Sequence, residues 1–227
     1  MQFASTRLQI VSHQIPVEQL LRLQGYRDLS NIRPDVRRIA EWAAQRATAL
    51  ARPEVLYRRV PIHAVDESQV VLGENATFHS RRFLPTLGAS AHAIVFILTL
   101  GSKIDDECRS LADRDDVVEA LFIEYAGWIA IERATRDFVQ HLLGLQDPNV
   151  GLTRRLGPGY HDWPLEEQMD LFALFRDAEN PVELMESCAM LPKKSRSGLY
   201  GEQAVLPRKV NLGETQPLHV GQFDLMT

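Results

Sequence analysis

Cysteine is scarce in this chain. Its 227 residues contain two cysteines, Cys108 and Cys188, which lie far apart and belong to no C-x-x-C pair. That spacing argues against a disulfide scaffold and against a cysteine-rich zinc or iron–sulfur site. The seven histidines are scattered and H-E-x-x-H is absent. We therefore expect no intrinsic metal site.

Long hydrophobic runs and an excess of basic charge are also missing. The strongest apolar run, residues 91–100, is well short of the roughly 20 residues that a membrane span needs. The first seven residues lack the apolar core of a signal peptide. The 25 basic and 30 acidic residues give a net charge of −5, which does not favour nucleic-acid binding. We expect a cytoplasmic, single-domain protein over residues 1–227 that binds neither membrane nor nucleic acid.

Several common catalytic motifs are absent as well. The chain has no G-x-x-x-x-G-K-[ST] phosphate loop and no G-x-S-x-G elbow. Gly157 and Gly159 flank a proline between a loop and a helix, so they do not form a dinucleotide-binding fingerprint. These absences exclude the commonest nucleotide-binding and hydrolase signatures.

The elements that are present predict an α+β fold with an antiparallel or mixed sheet flanked by helices. The run at 92–100 is apolar at odd and even positions alike, which predicts a central strand covered on both faces. Pro61 predicts an edge or a bulge in its strand, and Gly127 a kink in its helix. The expected helices are 16–24, 34–51, one ending near 112, 115–143 and 164–175; the expected β regions are 56–65, 68–72, 92–100 and 182–205, with an irregular loop at 144–163.

The first unusual segment runs from Arg155 to Pro164 and combines an arginine, two glycines and three aromatic or imidazole side chains. Glycine permits close backbone approach, and arginine can grip a carboxylate through two parallel hydrogen bonds. On composition alone, a surface arginine in a turn is the ordinary interpretation. His161 and Asp162 form either a pH-sensitive pair or solvated loop residues. Trp163 is expected to anchor the following helix in the core, as is Leu165.

The second unusual segment is 186–200. Its serines act as nucleophiles only with a base nearby, and the local sequence supplies none. Lys193, Lys194 and Arg196 form a solvated hairpin tip, a docking site for an acidic partner or the lining of a groove over a polar ligand. Upstream, Glu132 either pairs along its helix with a neighbouring arginine or faces residues 155–160 to hold an ammonium or sulfonium.

These two segments, taken together and in order, carry a resemblance to a known family. Residues 155–160 read R-L-G-P-G-Y, and residues 186–200 read E-S-C-A-M-L-P-K-K-S-R-S-G-L-Y. The chain resembles the AdoMet-binding activation (reactivation) domain of cobalamin-dependent methionine synthase, which carries R-x-x-x-G-Y and then T-E-S-x-A-M-x-P-x-x-S-x-S-G-x-Y. Weaker similarity to short, free-standing members covers residues 20–26 and 98–105. The resemblance spans nearly the whole chain.

The resemblance implies an α+β fold around a twisted antiparallel sheet and a site for S-adenosylmethionine (AdoMet). It implies that Arg155 binds the carboxylate of AdoMet and that the backbone of Gly157 and Gly159 contacts its polar atoms. Tyr160 would lie near the methionine and corrin side, and Tyr200 near the ligand or the corrin edge. No catalytic acid, base or nucleophile is implied.

Glu132 matches a family glutamate on the long helix. A second family glutamate, just upstream of the arginine, has no counterpart, because residues 147–154 contain no glutamate. An N-terminal aspartate of the family site is not identifiable either. The resemblance thus covers part of the family's acidic ligand set.

The implied function is reactivation of cobalamin that has lost an electron, in support of methionine biosynthesis. The chain has no D-x-H-x-x-G corrinoid-ligating motif, so we expect cobalamin to be carried by a separate corrinoid-dependent methyltransferase. That partner is either a methionine synthase without its own activation domain or another corrinoid methyltransferase, with a flavodoxin-like protein as a candidate electron donor.

Two alternatives remain open from the residues. The chain could be a non-catalytic docking partner that caps a corrinoid protein without binding AdoMet, which the missing second glutamate favours. More remotely, it could be an unrelated small-molecule enzyme that uses His161 and Asp162, with a break in its pH–rate profile near the histidine range.

Overall fold

An antiparallel sheet organises residues 4–204, the part of the chain that the computed structural model describes. Six strands lie in the order β4-β3-β2-β5-β9-β6, and β1 also pairs with β2. A separate two-stranded ribbon, β7-β8, lies outside this sheet. The predicted antiparallel α+β fold is confirmed. The strands are β1 (Thr6–Gln9), β2 (Glu54–Val65), β3 (Gln69–Leu72), β4 (Ala76–His79), β5 (His92–Thr99), β6 (Val150–Leu152), β7 (Glu183–Leu184), β8 (Met190–Leu191) and β9 (Ser195–Ala204).

Strand β5 is the centre of the sheet and divides two hydrophobic cores. Because successive side chains of a strand point to opposite faces, its residues alternate between the two layers. Phe96 belongs to the core on the helical face, whereas Val95 and Ile97 belong to the core on the opposite face. Every residue of β5 after His92 is buried. The prediction of a central strand covered on both faces is confirmed.

Helices cover one face of the sheet and contribute short pieces to the other. Within residues 4–204 none of them has both the length and the apolar character that crossing a membrane requires. The longest helix continues without interruption past Gly127, and the kink expected there stays a prediction. The helices are α1 (Val17–Leu23), α2 (Pro34–Leu50), α3 (Phe83–Leu87), α4 (Lys103–Ala112), α5 (Val117–Leu145) and α6 (Gln168–Ala173).

The sequence-based expectation missed β1, β4 and α3, and it differs from the structure over 144–163 and 164–175. Residues 144–163 are not wholly irregular, because 150–152 form β6 at the sheet edge and pair with the end of β9. Three residues are too few to display a period-two pattern. The helix predicted over 164–175 is a 3₁₀ turn at Leu165–Glu167 followed by the short α6. The carboxylate of Glu167 accepts the backbone N–H of His79, at 2.9 Å, and so ties this turn to β4.

Pro61 lies inside β2, which has partners on both sides, so the edge alternative is wrong. The bulge alternative is confirmed by a register shift between Ile62 and Ala64 in the pairing with β3. Pairing with β1 ends at Tyr57, and pairing with β3 begins at Ile62. The missing N–H of Pro61 therefore falls in the gap between two partner strands, where no ladder bond is lost.

A close backbone contact holds the loop after β6 against β9. Leu156 and Leu199 exchange two backbone hydrogen bonds, of 3.0 and 2.8 Å. Gly198 lies beside this bridge with φ of +149°, and a Cβ atom there would be 2.3 Å from the carbonyl oxygen of Leu156. Only glycine permits both that backbone conformation and that approach. The contact brings the segment beginning at Arg155 onto the middle of β9.

We expect Gly198→Ala to destabilise the protein by about 2 kcal/mol or more, because the added methyl group meets a backbone atom in a strained conformation. Urea unfolding measures the change. Gly144→Ala is the matched control, since nothing lies within 4 Å of its Cβ position inside α5. That variant should be neutral or slightly stabilising. Equal stability of the two variants would contradict the close contact at Gly198.

Candidate functional site

The two segments that carry the family resemblance line one groove of about 430 Å³. The first segment contributes Arg155, Gly159 and Tyr160, and the second contributes most of residues 187–197. Helix α5 adds Trp128 and Ile131 to the same wall. No aspartate or glutamate is among the lining side chains that the structure describes. The groove is therefore cationic and partly apolar.

Arg155 is half-buried at the bottom of the first segment. Its Nη1 donates a hydrogen bond of 3.2 Å to the carbonyl oxygen of Ser197, and its guanidinium lies 4.8 Å from the centre of the Tyr160 ring. The contacts of residues 4–204 include no ion pair of Arg155 with a carboxylate. Because a guanidinium has five N–H donors, most of them remain available to a ligand in the groove.

The glycines of the first segment shape the turn around Arg155. Gly159 lines the groove with φ of +79°, and its N–H donates to the carbonyl of Trp163 at 2.9 Å. Gly157 lies outside the groove lining and borders a smaller cavity that Arg155 and Tyr160 also line. Tyr160 is 56% exposed at the rim. Trp163 is buried against two phenylalanines, as expected of a core anchor, whereas Leu165 is exposed in the groove wall.

One expectation was that Glu132 pairs with a neighbouring arginine on its own helix, and this is wrong. It forms an ion pair with Arg196 from β9, whose Nη1 also donates to Thr135 Oγ1 at 3.1 Å. Burial opposes ionisation of Glu132, but the hydrogen bond and charge of Arg196, with the charges of Arg155 and Arg136, outweigh it and lower the pKa of the carboxyl group. Glu132 therefore belongs to the same electrostatic cluster as Arg155, although it does not line the groove.

Tyr200 lies behind the groove wall and not on its surface. It is buried, and its ring stacks on Phe96 with 5.4 Å between ring centres. Burial raises the pKa of its hydroxyl group, and the charges of Arg155 and Arg196 oppose that rise. Its side chain is therefore neutral at physiological pH and close enough to both guanidinium groups to sense their charge.

The basic turn of the second segment is not a solvated hairpin tip. The Lys194 side chain is 1% exposed, and its Nζ lies 2.5 Å from Glu124 Oε1 and 5.3 Å from the centre of a Trp128 ring. Gly127 leaves room for this side chain, because a Cβ there would lie 2.7 Å from Lys194 Cε. Lys193, Lys194 and Arg196 all line the groove, whereas a polar ligand or an acidic partner at this turn stays a prediction.

Cys108 lies near the same ion pair, with its Sγ 3.7 Å from Glu124 Oε2. Burial, with the negative charge of Glu124, raises the pKa of the thiol to about 11. Since the thiolate is the reactive form, Cys108 is not an activated nucleophile.

Gln168 hydrogen-bonds to two points of the second segment, and the sequence analysis missed it. Its Nε2 donates to the carbonyl of Cys188 at 2.7 Å, and its Oε1 accepts the hydroxyl of Ser197 at 3.1 Å. Gln168 is buried, and both of its amide functions are satisfied. It begins the short α6, where a polar residue gives no periodic signal, so no pattern could have singled it out.

The residues proposed for acid–base or nucleophilic chemistry have other partners. Asp162 accepts the Ser80 hydroxyl at 2.6 Å and the backbone N–H of Arg81 at 3.1 Å, and these bonds hold its pKa far below the ordinary value. His161 is exposed. The serine hydroxyls at 195 and 197 bond to Thr99, Pro192 and Gln168, none of which is a base.

A larger cavity, of about 600 Å³, lies elsewhere, between the β3–β4 turn and the end of α6. It includes Arg58, which is buried and forms an ion pair with Asp177. No residue of 155–164 or 186–200 lines this cavity. The groove, and not the larger cavity, therefore unites the two segments.

The lowered pKa of Glu132 predicts a pH-dependent contribution to stability. Because the pKa is lower in the folded chain, the ion pair stabilises fully above the ordinary value of 4.5, and that contribution is lost as the pH falls through the folded-state pKa. Urea unfolding should show a stability difference between wild type and Glu132→Gln that is largest at neutral pH and shrinks below about pH 4.5. For Glu41→Gln, which removes an exposed carboxylate without an ion-pair partner in residues 4–204, the difference should not follow this course. A difference for Glu132→Gln that does not change with pH would contradict the ion pair.

Comparison with known proteins gives a structural match. Neither the protein-family profiles nor the curated proteins yield a sequence match. Among solved structures, the chain is similar to a crystal structure of the MetH reactivation domain bound to AdoHcy, with a TM-score of 0.57 and 15% sequence identity, over 88% of this chain and 78% of that one. At this identity the similarity establishes a shared fold.

Proposed function

We propose that this chain binds AdoMet and supports reductive methylation of cob(II)alamin on a separate corrinoid-dependent methyltransferase such as methionine synthase. The observation that carries the proposal is Arg155. Its guanidinium has no ion pair among the described residues, and it lies in the one groove that both family segments line. The fold shared with a reactivation domain bound to AdoHcy supports the same assignment.

The groove fits an AdoMet-sized ligand in volume and in one of its polar ends. Its volume of about 430 Å³ is within the roughly 300–1,000 Å³ range of small-molecule sites. The free donors of Arg155 fit a carboxylate bidentately. The fit to the ammonium end is weaker, because Arg196 engages Glu132. Backbone carbonyls of the turn around Gly159 are the remaining acceptors for that end.

The residues of this chain would act by position and not by acid–base chemistry. When bound, AdoMet supplies an electrophilic methyl group on a sulfonium. Arg155 would fix the carboxylate, and the bare backbone around Gly159 would approach the polar atoms of the ligand. Tyr160, at the rim, would shape the side that faces a partner. The hydroxyls of Ser195 and Ser197, which line the groove, have no base as a partner, and this agrees with a protein whose work is positioning.

The rim of the groove supports a macromolecular partner. Trp128, Tyr160 and Leu165 line the groove, and each is more than 40% exposed. Three large apolar side chains around a cationic groove are typical of a surface that another protein covers. We assign that role to the corrinoid protein, which would close the groove against water.

A second candidate function is favoured by the Arg196–Glu132 pair. Because this internal cation already neutralises the acidic group, the chain could cap a corrinoid protein without binding AdoMet. Calorimetry separates the two functions: the capping function predicts binding to the corrinoid protein but no heat on titration with AdoMet.

We expect Arg155→Met to weaken AdoMet binding by about tenfold to a hundredfold, because a charged hydrogen-bonded contact contributes roughly 1.5–3 kcal/mol. Isothermal titration calorimetry measures the change. The neighbouring Arg154→Met is the matched control, since Arg154 is exposed and contacts Thr86 instead of the groove. Arg155→Lys should retain part of the affinity, because it keeps the charge but loses the bidentate geometry. Equal binding by wild type and Arg155→Met would contradict the assigned contact.

We further expect the purified protein to restore methylcobalamin on a partner corrinoid protein loaded with cob(II)alamin, in the presence of a reductant and AdoMet. The visible absorption spectrum of the corrinoid follows the reaction. The Arg155→Met variant should lower the rate at sub-saturating AdoMet. Failure to form methylcobalamin with methionine synthase and with other corrinoid methyltransferases would count against the proposed function.

A further inference from the structure

The charge of the groove is unusual for a site that takes a cationic ligand. Four cationic residues line it, and no acidic residue does: Arg155, Lys193, Lys194 and Arg196. Lys194 is neutralised by Glu124, and Arg196 by Glu132. The remaining charge on the wall is therefore positive. AdoMet carries an ammonium and a sulfonium against one carboxylate, so its net charge is also positive.

Glu132 is an acidic group that could offset this charge, since it forms an ion pair with Arg196 and interacts electrostatically with Arg155 and Tyr200. Its side chain is 46% exposed, whereas that of Arg196 is 11% exposed. Arg196 lines the groove, whereas Glu132 does not, and a second bond, to Thr135 Oγ1, holds the Arg196 side chain in place. The ion pair neutralises a carboxylate that would otherwise attract a cation.

We propose that Arg196 is a specificity-determining residue, which neutralises Glu132 and makes the groove favour a neutral thioether over a sulfonium. The inference rests on the proposed function, because it concerns ligands of the AdoMet type in the same groove. AdoHcy and AdoMet differ by one methyl group and one positive charge, so their relative affinity reports the electrostatic potential that the wall imposes on the sulfur.

The experiment measures the dissociation constants of AdoMet and AdoHcy by calorimetry for wild type, Arg196→Met and the double variant Glu132→Gln/Arg196→Met. Wild type should bind AdoHcy at least as tightly as AdoMet. Arg196→Met leaves the Glu132 carboxylate uncompensated, so the ratio of the AdoMet to the AdoHcy constant should fall by about tenfold. The double variant removes both charges and should return the ratio to the wild-type value.

A matched control separates this effect from general loss of charge. Arg46 forms an ion pair with Glu107, with bonds of 3.0 and 2.8 Å, and does not line the groove. Arg46→Met should leave the ratio unchanged. Thermal melts of each variant establish that the compared proteins are folded.

Each outcome decides the inference separately from the proposed function. A ratio that changes by less than about threefold in Arg196→Met, or that falls equally in the double variant, overturns the inference while AdoMet binding by wild type still supports the function. If wild type binds neither ligand but Arg196→Met binds AdoMet, the inference stands and the function of the natural chain is refuted. If no variant binds either ligand, both are refuted.

Discussion

The close contact between Gly198 and the carbonyl of Leu156 is the constraint on which the candidate site depends. It allows the loop after β6 to hydrogen-bond to the middle of β9, although no short turn joins these two segments in the sequence. Arg155 then donates to the carbonyl of Ser197, and residues of the two segments, 155–164 and 186–200, line one groove. A larger residue at position 198 would push the two segments apart without removing any side chain that lines the groove.

Charge pairing between β9 and α5 is the second organising feature. Lys194 and Arg196 come from the second segment, and their partners Glu124 and Glu132 are two helical turns apart on α5. Burying a cation costs free energy unless an anion compensates it, so these two cations need an acid on the helix behind them. Arg155 and the exposed Lys193 also line the groove and have no ion pair among the described residues. Arg155 is the half-buried one of these two, and it carries the argument for ligand binding.

The sequence predicted the architecture well because its signals are local. The apolar run of β5 and the period of α2 and α5 are visible in the residues alone, and the structure bears them out. The order of the two segments identified the related fold. The sequence could not reveal pairings between distant segments. The ion pair of Glu132 with a residue 64 positions later, and the bridge made by Gln168, depend on how β9 and α6 dock. A charged cluster such as 193–196 is expected to be solvent-exposed until the acidic partners of Lys194 and Arg196 are known.

Strand β9 distributes its side chains between two layers. Arg196 and Tyr200 point to the side of α5, whereas Ser197 and Leu199 point to the side of α6. Adding or deleting one amino acid within this strand, between Arg196 and Tyr200, would move the residues on one side of the change to the opposite layer, because strand side chains alternate with a period of two. Either the Arg196 guanidinium would then face the α6 side of the sheet, or the Tyr200 ring would leave its stacking partner Phe96. The spacing within S-x-S-G-x-Y thus determines which face of the sheet each side chain takes. Changes in length are tolerable in the turns before and after these residues, but not within them.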